Sequence, residues 1–166
     1  MAINTTILAV MRETNNFFLQ RDARGNFIAE RGEFALENGS ISLSGSYQVR
    51  QYILLTGSTL VDGVYRITAA SNGAYALEGA EVSERWSGVV YSLRIPPDFT
   101  ALCEEIHVFS VSKAGQPSDY ASETVIGVHS YTRGTKPNGA PVTWRDVFMD
   151  RLHKFRRPRI KSEVEV

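Results

Sequence analysis

Three histidines, one cysteine and two glutamate groups are the residues from which any chemistry would have to be built. His107, His129 and His153 lie in separate stretches, and none has a second histidine at the spacing that puts two imidazoles on one helical face. His129 and His153 read as surface residues. Cys103 and His107 stand four apart, one helical turn, which would suit a thiol–imidazole pair. A nucleophilic thiol must be ionised, exposed and oriented, whereas Cys103 sits in an apolar stripe. Glu104-Glu105 and the group Glu78, Glu81 and Glu84 supply carboxylates, but general acid–base work needs two of them in one cleft. A solvated face is the simpler reading. Neither Gly-x-Gly-x-x-Gly nor a phosphate-binding loop occurs. The pattern favours no enzyme, no metal and no cofactor.

The one polarised feature is a basic run from Arg151 to Lys161, containing His153-Lys-Phe-Arg-Arg-Pro-Arg-Ile-Lys161. Three readings compete: a solvated tail, a nucleic-acid patch, or an arm that pairs with acidic surface on a neighbouring protein. As a nucleic-acid patch it is short and carries a single aromatic, Phe155. Arginine favours the third reading, because its fork makes bidentate bonds to carboxylates. The following Ser162-Glu-Val-Glu-Val166 reverses the sign, which disfavours a nonspecific DNA tail.

The elements that must carry these residues are legible as an α+β pattern. A helix is expected over 3–14, with Thr5 as cap and Ile7, Leu8 and Met11 on one face. Asn15-Asn16 break it. From Phe17 to about Leu93 short β-branched and aromatic runs alternate with turn chemistry, including Glu37-Asn38-Gly39-Ser40 and Ser71-Asn72-Gly73. Strands are expected at 17–20, 27–30, 34–36, 40–43, 52–56, 63–68 and 89–95, forming a compact antiparallel sheet or small barrel. Around Val64-Tyr65-Arg66-Ile67 the alternation does not say which face is buried. Pro96-Pro97 ends the β region and opens a helix whose stripe is Phe99, Leu102, Cys103 and Ile106. A strand or hairpin arm follows at 123–131, then a Gly-, Pro- and Asn-rich loop at 132–141. Thr143 caps a last amphipathic helix in which Trp144, Val147, Phe148, Leu152 and Phe155 share one face, the first four as its core. The organisation expected is 1–16 N-terminal helix, 17–95 β-rich region, 96–157 helical region with the hairpin between its two helices, and 158–166 extended arm.

Composition adds little beyond class. The 166 residues are 43% hydrophobic and 22% charged, ordinary for a globular chain, and 18 basic side chains balance 18 acidic ones. A single cysteine allows no internal disulfide and suits a reducing compartment. Neither a secretory leader nor an apolar run of membrane-spanning length is visible, so a soluble, intracellular chain is expected.

Three phrases together resemble the head–tail connector (adaptor) proteins of tailed bacteriophages. They are Ile95-Pro-Pro-Asp-Phe-Thr-Ala-Leu-Cys-Glu-Glu-Ile106, Ser122-Glu-Thr-Val-Ile-Gly-Val-His-Ser-Tyr131 and Trp144-Arg-Asp-Val-Phe-Met-Asp-Arg-Leu-His-Lys-Phe-Arg156. Leu55-Thr-Gly-Ser-Thr-Leu-Val-Asp-Gly-Val-Tyr65 also looks like a phrase of small phage neck proteins. The resemblance spans roughly 50–160; upstream, where the better-described connectors are helical, this chain reads as β. It implies a wedge subunit in a ring, usually twelvefold, that docks on the portal protein and extends the DNA channel toward a neck or tail protein. Genomic DNA would pass without sequence-specific binding. The location implied is the virion neck, reached through the host cytoplasm during assembly. By the same resemblance Phe155, Arg156, Arg157, Arg159, Ile160 and Lys161 would be the portal-docking arm. A wall along which DNA slides should be mixed or mildly acidic, which makes Glu30, Glu33, Glu37, Glu78, Glu81 and Glu84 the channel-lining candidates. The runner-up is another neck or tail ring protein (head-closure, tail-completion or terminator), many of which carry small β-barrels. A small nucleic-acid-binding module stands behind both.

Overall fold

The computed structural model describes residues 3–112, the backbone of 122–125 and 129–132, and residues 142–158. Helix α1 (Ile3–Thr14) leads into a closed six-stranded antiparallel barrel: β1 (Ala29–Glu37), β2 (Ser40–Ser42), β3 (Tyr52–Thr56), β4 (Gly63–Ser71), β5 (Ala74–Leu77) and β6 (Glu84–Leu93). Helix α2 (Pro97–Val111), a hairpin β7 (Ser122–Val125) with β8 (His129–Thr132), α3 (Trp144–Leu152) and one 3₁₀ turn (His153–Phe155) follow. The chain is therefore α+β around a barrel.

Around the barrel the order is β1-β2-β5-β4-β3-β6, and β6 closes it by pairing with β1 from Ala29↔Tyr91 to Leu36↔Glu84. Two Asn-Gly turns set the register of the tight hairpins. Asn38-Gly39 joins β1 to β2 and Asn72-Gly73 joins β4 to β5, all four with positive φ. A two-residue turn of that hand matches the strand twist, and Asn and Gly tolerate it best.

Two apolar clusters hold the molecule. A six-stranded barrel leaves room only for side chains, and Phe34, Leu36, Ile41, Ile53, Leu55, Ile67, Trp86 and Val90 fill it. The second cluster lies between the barrel wall and the helices: Leu54, Val64 and Leu93 meet Ile7, Met11, Phe99, Leu102, Ile106, Phe148, Leu152 and Phe155. Strands β3 and β4 are thus apolar on both faces, and Val64 faces the helices while Ile67 faces the interior. That is why the sequence around Val64 does not alternate cleanly.

Several expected boundaries shift. Thr5 lies inside α1 and is exposed, so it does not cap it. Ala29 and Glu30 of the run 27–30 and all of 34–36 belong to a single strand, β1, in which Arg31 and Glu33 are exposed; Phe27 and Ile28 precede it, Phe27 bridging to Arg21. Residues 17–20 form no strand and contribute only a bridge at Leu19↔Leu93. Strand β5 was not expected. Proline does open α2, with Pro96 as its N-cap and Pro97 in its first turn. Residues 133–141 of the expected loop lie outside the described residues.

Candidate functional site

The last helix is where the polarised sequence meets the fold. At its start the Asp146 carboxylate accepts from both the backbone amide (2.8 Å) and the hydroxyl (2.6 Å) of Thr143, while the Asp146 amide donates to the Thr143 carbonyl. Along its inner face Phe148 meets Phe109 edge-on at 5.8 Å, Leu152 is fully buried and Trp144 is half-buried. Val147, expected in that core, is 48% exposed. The face that packs runs 144, 148, 152 and 155, and Val147 falls on its flank.

Phe155 corrects the expected arm. It is only 8% exposed and sits edge-on against Phe99 at 5.0 Å and Phe18 at 6.2 Å, with Phe18 and Phe99 themselves 4.6 Å apart. An aromatic triad of that geometry gains beyond simple burial. Phe155 is an internal anchor, not a projecting contact. Just past it the backbone is tied to the end of α1. Asn16 Nδ2 donates to the Phe155 carbonyl (3.0 Å), the Arg157 amide to the Thr14 carbonyl (3.0 Å), and Asn15 Nδ2 to the Pro158 carbonyl (3.3 Å). The Asn15-Asn16 pair read in sequence as a helix breaker. Its second role as a clip for a distant segment had no sequence signal beyond the amide pair itself.

Much of the basic run is neutralised in place. Arg151 forks onto Glu105, Lys154 reaches Asp98 at 2.8 Å, and Arg156 lies 3.7 Å from Glu13 and donates to the Met149 sulfur. The partner arginine and lysine hold the Glu105 and Asp98 carboxyls below their ordinary pKa. These pairs are exposed, so they stabilise weakly and are screened by salt. Their effect is on charge: of the arginines and lysine from Arg151 to Arg157, Arg157 is exposed without such an acidic partner among the described residues. Arg159, Ile160 and Lys161 lie outside the described residues.

The candidate channel glutamates do not share one role. Glu30 is half-buried and accepts from the amides of Ser44 (2.8 Å) and Gly45 (2.7 Å) and the Ser44 hydroxyl (2.9 Å). Glu37 pairs with Arg85 at 2.8 Å, Glu78 is half-buried, and Glu33 and Glu81 are exposed. Glu84 is a clamp: it takes hydrogen bonds from the Ser58 and Thr59 hydroxyls and the Thr59 and Leu60 amides, fixing the β3–β4 loop. Those donors, the Ser58 hydroxyl foremost, pull its pKa from 4.5 to about 2. A depressed carboxyl stabilises the fold above its unfolded pKa and loses that contribution as pH falls through the folded one. Acid titration of Glu84→Gln against the parent should therefore give stability curves that differ above pH 4.5 and converge toward about pH 2. Parallel curves across that window would contradict the clamp.

Cys103 is fully buried in α2, and burial pushes its thiol up to about 12, leaving no thiolate near neutrality. His107 Nδ1 lies 3.1 Å from the Thr6 hydroxyl, a bond that ties α2 to α1. His153 is exposed, and the His129 side chain lies outside the described residues. Among the described residues, no three His, Cys, Asp or Glu side chains are placed to hold a metal, and no helix is long and apolar enough to cross a membrane. No protein-family model matches the chain, and the searches of curated proteins and of solved structures likewise return no match.

Proposed function

We propose that this chain is a non-enzymatic ring subunit of a tailed-phage head–tail connector, docking on the portal through its C-terminal segment and extending the DNA channel. The observation that carries the reading is the anchored exit of that segment. Phe155, Asn15, Asn16 and the Thr14 carbonyl hold the chain at 155–158 against the end of α1, and the sequence that follows is cationic through Lys161. The arm is then Arg157 and the 158–161 segment, with Phe155 and the paired Arg156 left in the body. Phe155 keeps the stability of the wedge inside the subunit. A short arm that orders on binding gives little affinity singly, and ring symmetry multiplies it. The ring, its dodecameric order and the tail-side partner are what the family resemblance implies.

The closed six-stranded barrel favours the second reading, a head-closure, tail-completion or terminator ring. The copy number and position in a virion separate the two. Internal pairing of Arg151, Lys154 and Arg156 weakens the nucleic-acid reading, since those cations are not free to neutralise phosphates.

Removing residues 159–166 tests the arm. The truncated chain should keep its thermal unfolding midpoint while losing co-sedimentation with portal rings. A truncated chain that still co-sediments, or one that unfolds, contradicts the proposal.

A further inference from the structure

At one end of the barrel a cavity of about 620 Å³ opens between the β2–β3 connection and the segment preceding β1. Its floor is polar and connected: Gln51 Nε2 donates to Ser92 Oγ at 2.5 Å, and Ser92 Oγ donates to Gln20 Oε1 at 2.7 Å. Tyr47, 6% exposed, also lines it. Burial and the charge and hydrogen bonding of the adjacent Glu30 carboxylate raise the Tyr47 pKa, so the phenol stays protonated against Glu30. Glu30 itself is already satisfied by Ser44 and Gly45.

The mouth has a different character. Ile28 and Val49 are exposed there, at 37% and 50%. Arg50 and Arg94 flank them, and neither guanidinium bonds to a described residue. Arg50 holds a left-handed backbone (φ +74), fixed by its amide bond to the Ile67 carbonyl. Exposed branched apolar side chains beside unpaired arginines fit an extended peptide that alternates acidic and apolar residues.

We infer that this mouth is the docking surface for the chain's own Ser162-Glu163-Val164-Glu165-Val166 segment. In an extended strand Glu163 and Glu165 share one side and Val164 and Val166 the other. The glutamates then meet Arg50 and Arg94, and the valines meet Ile28 and Val49. Reach also allows it. Pro158 is bonded to Asn15, and Gln20, on the cavity floor, is five residues beyond Asn15. Glu163 is likewise five residues beyond Pro158, an extended span of about 18 Å. The inference does not rest on the virion reading. It assigns the acidic segment a partner within the subunit whatever the cationic arm binds.

Disulfide trapping in the full chain tests it. Val49→Cys with Val164→Cys, oxidised with diamide, should close an intramolecular disulfide about tenfold faster than Leu60→Cys with Val164→Cys, which shares the tether but points at a different loop. Reversing Glu163→Arg and Glu165→Arg should remove that advantage. Adding Arg50→Glu and Arg94→Glu to the reversed segment should restore it. Equal rates for the two pairs, indifference to charge reversal, failure of the double reversal to rescue, or disulfide-linked dimers as the only product would each overturn the inference.

Discussion

Phe155→Ala should cost about 3–5 kcal/mol, the range for removing a buried phenylalanine and leaving its cavity. For a chain of this size that corresponds to a fall of about 10 °C in thermal midpoint. The loss is large because Phe155 closes an aromatic triad with Phe18 and Phe99, and its carbonyl is held by Asn16. Phe155 packs at once against two elements distant in sequence, the corner after α1 and the start of α2. Phe155→Leu should recover part of the loss by refilling volume without the edge-on contacts. Portal binding should fall together with the fold in the alanine variant, since the arm loses its fixed exit. Unchanged stability in Phe155→Ala, with binding alone lost, would return Phe155 to the arm.

Gly88→Ala should be as severe, and its partner across the ladder should behave oppositely. An alanine Cβ at 88 would overlap the Thr56 carbonyl oxygen and lie 2.7 Å from the Trp86 indole nitrogen. The backbones are close from the other side as well: a Cβ at Gly57 would stand 3.0 Å from the Gly88 Cα. A carbonyl in a β ladder cannot move without breaking the β3–β6 pairing, so about 3 kcal/mol or more should be lost, the upper range for an overpacked site. Gly32 sits directly opposite Gly88 in the β1–β6 register, yet a Cβ there meets nothing within 4 Å. Replacing glycine within a strand removes a conformational cost of about 0.5–1 kcal/mol, so Gly32→Ala should be neutral or stabilising. Denaturant titration of the two variants reads the contrast, and similar losses at both positions would show that the seam is not as tight as its geometry.

These two sites also mark where sequence reading succeeds and where it stops. Periodicity found α1, the stripe of α2 and three of the four inner positions of α3, because each helix buries one face. The Asn-Gly pairs announced two hairpins through backbone chemistry local to two residues. Closure of the barrel was another matter. Long-range pairing such as Gly32↔Gly88 leaves no local trace. Strand β5, Ala74-Tyr-Ala-Leu77, is too short and alanine-rich to stand out. Strands β3 and β4 face apolar surroundings on both sides, so alternation was erased where it would have shown their orientation.

At the candidate site the error had one cause. Phe155 stands inside a basic run next to Pro158, and charge on its neighbours suggested a projecting arm. The same aromatic continues the helical face 144, 148 and 152 by one further turn. Both patterns were present in the residues, and only the positions of Phe18 and Phe99 decide between them. The clips from Asn15 and Asn16 were equally hidden, since they join residues 139 and 143 positions apart.

The central claim is that this wedge assembles on a portal through its C-terminal exit. Electron-microscopic images of the purified chain mixed with tailed-phage portal rings test it most directly. The account predicts one added ring on the portal face, with the copy number of the portal and density entering it from the corner at Asn15. A chain that stays monomeric beside intact portals, or that caps tail tubes as a sixfold ring, would contradict it.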